Sequence, residues 1–205
     1  MLPARKAGKG RRVILGEKFV FIHVPKTAGQ SIHAAIGGRV SNPMNAPRFS
    51  VKIGSRVSFS FVRNPWARMV SLYRYLCQRH PAGEMHNPAK MREMGFRDWL
   101  TDDPFWSAHD VLWGGRKLPP FQKRPQMWWA EGCNFIGQVE NIEVDFADAC
   151  WMAGIKSPSR LPRLNATEGG DWRAEYDGRS RDFVAHHFAE DIKKFEYEFG
   201  ETDEK

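Results

Sequence analysis

The first strong apolar run, Phe19-Val-Phe-Ile-His-Val24, is continuous rather than alternating, which predicts a central strand over 18–24 covered on both faces. Pro25 ends it, and a helix from Ser31 to Ile36 is stopped by Gly37-Gly38. Residues 39–56, with Pro43, Pro47 and Gly54, read as a loop. Val57, Phe59 and Phe61 then alternate with serines and Val62 closes a second strand. Asn64 is an N-cap and Pro65 sits at the first helical position, so a helix runs over 65–79. Its apolar stripe is Trp66, Met69, Val70, Tyr73, Leu76 and Cys77.

Residues 80–124 are rich in Pro, Gly, Trp and Met and predict long loops around a short helix near 95–101, a length that usually carries function. A helix over 124–131, a strand over 134–140 and a helix over 142–153 ended by Gly154 follow. Residues 155–178 read as irregular, and Ser180 caps a last helix with the stripe Phe183, Val184, His187, Phe188, Ile192 and Phe195. Strands alternating with helices predict an α/β fold with a parallel sheet and helices on both faces. The domain is expected over 16–205, after a basic tail over 1–15.

Two of the predicted strands break into a loop and a helix start. After the first, Lys26-Thr-Ala-Gly-Gln-Ser31 sets a cation beside small and polar residues, where backbone N–H groups and a helix N-terminus meet an anion. A Walker-type loop needs its lysine after the glycines and a neighbouring hydroxyl for Mg²⁺, but Lys26 precedes Gly29. After the second, Arg63-Asn-Pro leads into a helix that carries Ser71 on the same side as Asn64, Ala67 and Arg68, so one anion could be reached by Arg63 and Ser71 together.

The run Pro25-Lys-Thr-Ala-Gly-Gln-Ser31 resembles the 5′-phosphosulfate loop of the sulfotransferases that use 3′-phosphoadenosine 5′-phosphosulfate (PAPS), particularly the carbohydrate O-sulfotransferase branch. Arg63-Asn-Pro65 followed by Ser71 resembles that family's 3′-phosphate motif. Pro125-Gln126, the run Phe135 to Asn141, Asp145-Phe146, Leu164-Asn165 and the segment Asp191 to Phe199 echo later family motifs, so the resemblance covers residues 18 to 199.

The resemblance implies a three-layer α/β/α, nucleotide-kinase-like fold with a central parallel sheet. It also implies sulfuryl transfer from PAPS to a hydroxyl acceptor of carbohydrate type, without a metal. Lys26 is then catalytic as well as cofactor-binding, and Thr27, Ala28, Gly29, Gln30, Ser31, Arg63, Ser71, Asn165 and Thr167 complete the PAPS contacts. Thr27 and Ser31 either donate to the phosphate or cap the helix.

A general base must take the acceptor proton. Relatives often carry a histidine before the Arg-Asn-Pro strand, but residues 39–60 contain none. His109, in the long loop beside Asp110, is the first candidate. His33 is the second, one turn beyond the phosphate loop, and His23 reads as a core histidine that supports the loop.

A formal net charge of +7 implies anionic partners; nucleic acid, PAPS or an anionic acceptor would each account for it, and with the resemblance PAPS and a saccharide or other hydroxyl-bearing acceptor are expected rather than nucleic acid. Trp99, Trp106, Trp113, Trp128 and Trp129 crowd the acceptor region, with Arg92, Arg97, Arg116, Lys117, Lys123 and Arg124 nearby, as sugar-stacking faces and positive charge or as core and a solvated face. The odd set Cys77, Cys133 and Cys150 suggests neither a zinc site nor a disulfide framework. Residues 1–12 are too polar for a signal peptide or anchor. Animal relatives are Golgi-anchored, so the chain resembles the soluble prokaryotic branch and is expected in the cytoplasm. The alternatives are a P-loop-type nucleotide or small-molecule kinase, a basic non-catalytic nucleotide- or nucleic-acid-binding module, and a relative that binds nucleotide without catalysis.

Overall fold

Val13–Leu15 forms strand β1 and Phe19–Ile22 strand β2, joined through Gly16, whose N–H donates to Phe19 O at 3.0 Å. So short a connection requires an antiparallel pair. The structure is a computed structural model that describes residues 13–41, 54–78, 88–102, 112–113, 116–117, 123–158, 160–162, 164 and 170–200. Its contacts divide the chain into two units. The first takes the described segments up to Val62 and from Trp129 to Leu164; the second takes those from Arg63 to Trp128 and from Gly170 onward.

The first unit holds a five-stranded sheet of order β3-β1-β2-β4-β7, with β3 at Arg39–Ser41, β4 at Val57–Val62 and β7 at Phe135–Gln138. Strands β2, β4 and β7 are parallel, in the register Phe21 opposite Phe59 and Phe61 opposite Gly137, while β1 is antiparallel to β2 and β3. The sheet has the parallel core the sequence predicts, and the antiparallel β1 and β3 extend it on one side. Residues 13–15, inside the stretch expected as a basic tail, pair with β2 and β3. The strand is hidden in sequence behind Arg11 and Arg12, and its Val13 and Ile14 are buried.

Helix α1, Gly29–Ile36, follows β2, and Gly37 ends it at φ 64° as the sequence predicts. Helix α5, Ile142–Met152, follows β7 and a short 3₁₀ turn. Ile32 of α1 and Phe146, Ala149 and Cys150 of α5 join Phe19, Phe21, Phe59 and Phe61 in one apolar core. Each such phenylalanine contributes ~1.5–3 kcal/mol through burial. Gly137 is dictated by this layer, because a Cβ there would lie 2.6 Å from the Phe61 ring.

The opposite face of β2 and β4 is buried as well, so the alternating serines do not face water. Ser60 Oγ donates to Ile22 O at 2.8 Å, and Ser58 Oγ donates to Asn134 Oδ1 at 2.8 Å, which satisfies both hydroxyls.

The second unit holds α2 (Pro65–Gln78), α3 (Pro88–Asp102), the hairpin β5–β6 (Leu112–Trp113 and Arg116–Lys117), the start of α4 (Met127–Ala130), α6 (Gly178–His187) and α7 (Ala189–Phe195). Helix α3 is longer than the 95–101 expectation and is two helical pieces joined at Gly95, at φ 79°. The last helix is likewise two, separated at Phe188. Asp177, not Ser180, is the N-cap of α6. Ser180 sits three residues in and completes a capping box, with its N–H donating to Asp177 Oδ1 at 2.8 Å and its hydroxyl accepting from Asp177 N at 2.9 Å.

Candidate active site

The turn between β2 and α1 departs from ordinary backbone geometry. Lys26 and Ala28 adopt left-handed conformations at φ 71° and 57°, although neither is glycine. Such residues cost of order 1–3 kcal/mol each and cluster at ligand clamps. Ala28 is the N-cap of α1 and offers no side-chain acceptor, so the first-turn N–H groups at Gly29, Gln30 and Ser31 have no capping side chain. These donors, the positive end of the helix and the half-buried Lys26 make an anion-directed edge.

The hydroxyls of Thr27 and Ser31 both have partners in the protein. Thr27 is fully buried and its Oγ1 donates to Val24 O at 2.9 Å, while Ser31 Oγ accepts from Leu164 N at 3.1 Å. Neither hydroxyl caps α1. Gly29 is needed for space, because a Cβ there would lie 1.9 Å from Cδ2 and 2.1 Å from Nε2 of His23. The His23 ring is buried and stacks on Phe21, 5.9 Å between centroids. Its place against Gly29 gives substance to the reading of His23 as a support for the loop.

In the second unit, Asn64 Oδ1 accepts from Trp66 N at 3.1 Å and Ala67 N at 3.4 Å, which caps α2 as the sequence predicts. Asn64 Nδ2 also donates to Glu198 O at 3.0 Å. Ser71 is at the margin of burial, and among the described residues its hydroxyl has no hydrogen-bond partner. The half-buried Arg63 is likewise without a side-chain partner among them. Both groups are thus uncommitted, unlike the hydroxyls of the loop.

The main chain of Arg63, by contrast, is held on both sides. Arg63 N–H donates to Gln126 Oε1 at 2.8 Å and Gln126 Nε2 donates to Arg63 O at 2.7 Å. Asp191 then holds the chain at Gln126, accepting from Gln126 N at 2.7 Å and Met127 N at 2.9 Å. Both Gln126 and Asp191 are fully buried. Burial pushes the Asp191 carboxyl above the ordinary carboxylate range, against its two N–H donors and the charge of Arg68. Arg68, also fully buried, donates through Nη2 to Arg124 O at 2.9 Å, and desolvation lowers it to about 10. The roles of Gln126 and Asp191 were not read from the sequence. The available signal was a carboxylate at 191, in register with Val184, Phe188 and Phe195 on an apolar stripe.

Other expectations change. His33 lies in the last turn of α1, away from the helix start, with Nε2 3.4 Å from Gly38 O. Trp99, Trp128 and Trp129 are core residues, 1%, 3% and 1% exposed, and offer no face for a sugar. Lys123 and Arg124 are buried too, 4.5 Å above the Trp99 ring and 4.3 Å above the Trp128 ring, so they are not part of a solvated basic face. His109, Asp110, Asn165, Thr167 and Trp106 lie outside the described residues. An open cavity of about 450 Å³ lies at the amino end of β4, lined by Gly54–Ser58, Gly132, Asn134 and Met152. Both phosphate-type motifs follow the carboxyl ends of their strands, so this cavity is not theirs.

Two parallel strands, β2 and β4, each lead through a turn into a helix start, an arrangement of the α/β class. The family model described as the sulfotransferase family matches residues 13–198, and the chain belongs to that family. No curated protein and no solved structure matches it.

Proposed function

We propose that this sulfotransferase uses PAPS as donor and transfers its sulfuryl group to a hydroxyl of carbohydrate type. The observation that carries the donor reading is the strained, lysine-bearing turn at residues 26–31, together with the uncommitted Arg63 and Ser71. In the family these motifs serve the 5′-phosphosulfate and the 3′-phosphate. The same order of residues argues against a Mg²⁺-dependent kinase, whose lysine would follow the glycines.

The acceptor oxygen attacks sulfur in line, the bond from sulfur to the bridging oxygen breaks, and 3′-phosphoadenosine 5′-phosphate leaves. Lys26 and the N–H groups at the start of α1 stabilise the charge that grows on the leaving phosphate. Arg63 and Ser71 hold the 3′-phosphate, with Thr27, Ala28, Gly29, Gln30, Ser31, Asn165 and Thr167 assigned to the rest of the nucleotide. The acceptor proton passes to His109, an assignment that rests on the sequence alone.

The carbohydrate reading rests on the wording of the loop and on the net charge of +7, since Trp99, Trp128 and Trp129, three of the five tryptophans offered for sugar stacking, are core residues. A cytoplasmic location is the reading favoured by the free Cys77, Cys133 and Cys150. Among the described residues no helix is long and apolar enough to cross a membrane. Incubation with PAPS and a panel of saccharides, phenols and amines, read by mass, tests the proposal. Sulfated saccharide is the expected product; sulfation of phenols alone would overturn the acceptor class, and none with any acceptor the activity.

A further inference from the structure

We infer that Gln126 is a positioning residue for Arg63, anchored by Asp191, and that this clamp sets the preference for a nucleotide bearing a 3′-phosphate. The inference rests on the donor reading above. Arg63 is the first residue after β4, whose ladder with β7 ends at Val62 and Gln138. There the chain leaves the sheet. The Gln126 amide takes over with one acceptor and one donor, at 2.8 and 2.7 Å, in the two-way pattern of a strand pair.

A glutamine side chain could turn or shift if its own backbone were loose. Asp191 prevents this by accepting from two successive N–H groups, at Gln126 and Met127, with one carboxylate oxygen for each. A carboxylate held by charged hydrogen bonds in a buried setting is a stiff anchor. Arg68 supplies the compensating positive charge, and Arg68 Nη2 ties to Arg124 O, two residues before Gln126. Residues 124–127 are thus held at three points.

The consequence concerns the side chain of Arg63. A guanidinium recognises phosphate through a planar fork, so its contribution depends on where its own Cα is held. Because the Arg63 side chain has no partner among the described residues, the clamp acts on the main chain alone, before any ligand arrives. That is preorganisation, and it lowers the ordering cost of binding.

Calorimetric titration with 3′-phosphoadenosine 5′-phosphate and, separately, AMP tests this. Gln126→Leu removes both hydrogen bonds at similar volume and should weaken the bisphosphate on the order of tenfold or more, because small misplacements of a binding group are costly. AMP binding should stay near wild type. Equal weakening of both nucleotides, or an unchanged ratio with only a lower melting temperature, would make Gln126 a purely structural residue and overturn the inference.

Should Gln126→Leu fail to fold, Asp191→Asn serves in its place, since it keeps the volume and loses one of the two acceptor oxygens. A reduced bisphosphate-to-AMP ratio in that variant supports the clamp, and a wild-type ratio overturns it. Wild-type protein that binds both nucleotides equally would instead overturn the donor reading. A discriminating wild type beside an equally discriminating Gln126→Leu overturns the clamp alone.

Discussion

The turn at Lys26–Ser31 and the segment Arg63–Ser71 are built by opposite means. The first works through its backbone: two non-glycine residues in left-handed conformations, an N-cap without a side-chain acceptor, and a glycine whose missing Cβ makes room for His23. Its hydroxyls already have partners, Thr27 within the turn and Ser31 at Leu164. The second works through side chains that remain uncommitted on a well-capped helix, with the main chain of Arg63 clamped by residues far away in sequence. A site of the first kind is encoded locally and is sensitive to single atoms. One of the second kind is distributed, and its parts fail by degrees.

The largest effect is expected at Lys26. Lys26→Ala should lower kcat by roughly 10²–10³-fold, the loss typical of removing one donor from a preorganised charge-stabilising site. Affinity for 3′-phosphoadenosine 5′-phosphate should change far less, because the charge on the bridging oxygen is greatest in the transition state. Titration and steady-state kinetics on one preparation separate the two. A loss confined to binding would make Lys26 an anchor and erase the contrast with Arg63.

Gly29→Ala comes next. Its Cβ would meet the His23 ring at 1.9 Å, and overpacking of this kind costs typically 1–3 kcal/mol. Urea unfolding should show that loss in Gly29→Ala. The double variant Gly29→Ala with His23→Ala should recover part of it, because the added methyl then has room. Strict additivity of the two single losses would show that the ring is not what excludes a side chain at 29.

The smallest effect is electrostatic and belongs to the second unit. Asp177 is held below the ordinary carboxylate range by the Ser180 side-chain hydroxyl first and the Ser180 N–H second. A carboxylate depressed on folding contributes stability above its unfolded pKa, and that contribution is lost as pH falls through the folded value. The difference in urea midpoint between wild type and Asp177→Ala should therefore be present at neutral pH and shrink in the acid range below about pH 4. A difference independent of pH would assign the cap to geometry alone.

What could be read from the sequence follows the same division. The turn at 25–31, the start of α2 at Asn64-Pro65 and the stops at Gly37 and Gly154 are short-range patterns, and the structure has an element boundary at each. Strand β1 is not legible locally because its three apolar residues follow a basic run and gain meaning only by pairing with both β2 and β3. The tryptophans near residue 128 misled because burial depends on packing that composition does not specify. Gln126 is legible only as a family echo, and Asp191 only as that and as a carboxylate on an apolar stripe. Their work lies in hydrogen bonds spanning 63 to 65 residues, which no local window contains.

Thermal melts of wild type and Arg63→Ala with equal concentrations of 3′-phosphoadenosine 5′-phosphate and AMP test the central claim most directly, since a ligand that binds only the native state raises its stability by mass action. The account predicts a clearly larger rise with the bisphosphate in wild type, and loss of that difference in Arg63→Ala. Equal shifts with both nucleotides in wild type, or an undiminished difference in Arg63→Ala, would contradict it.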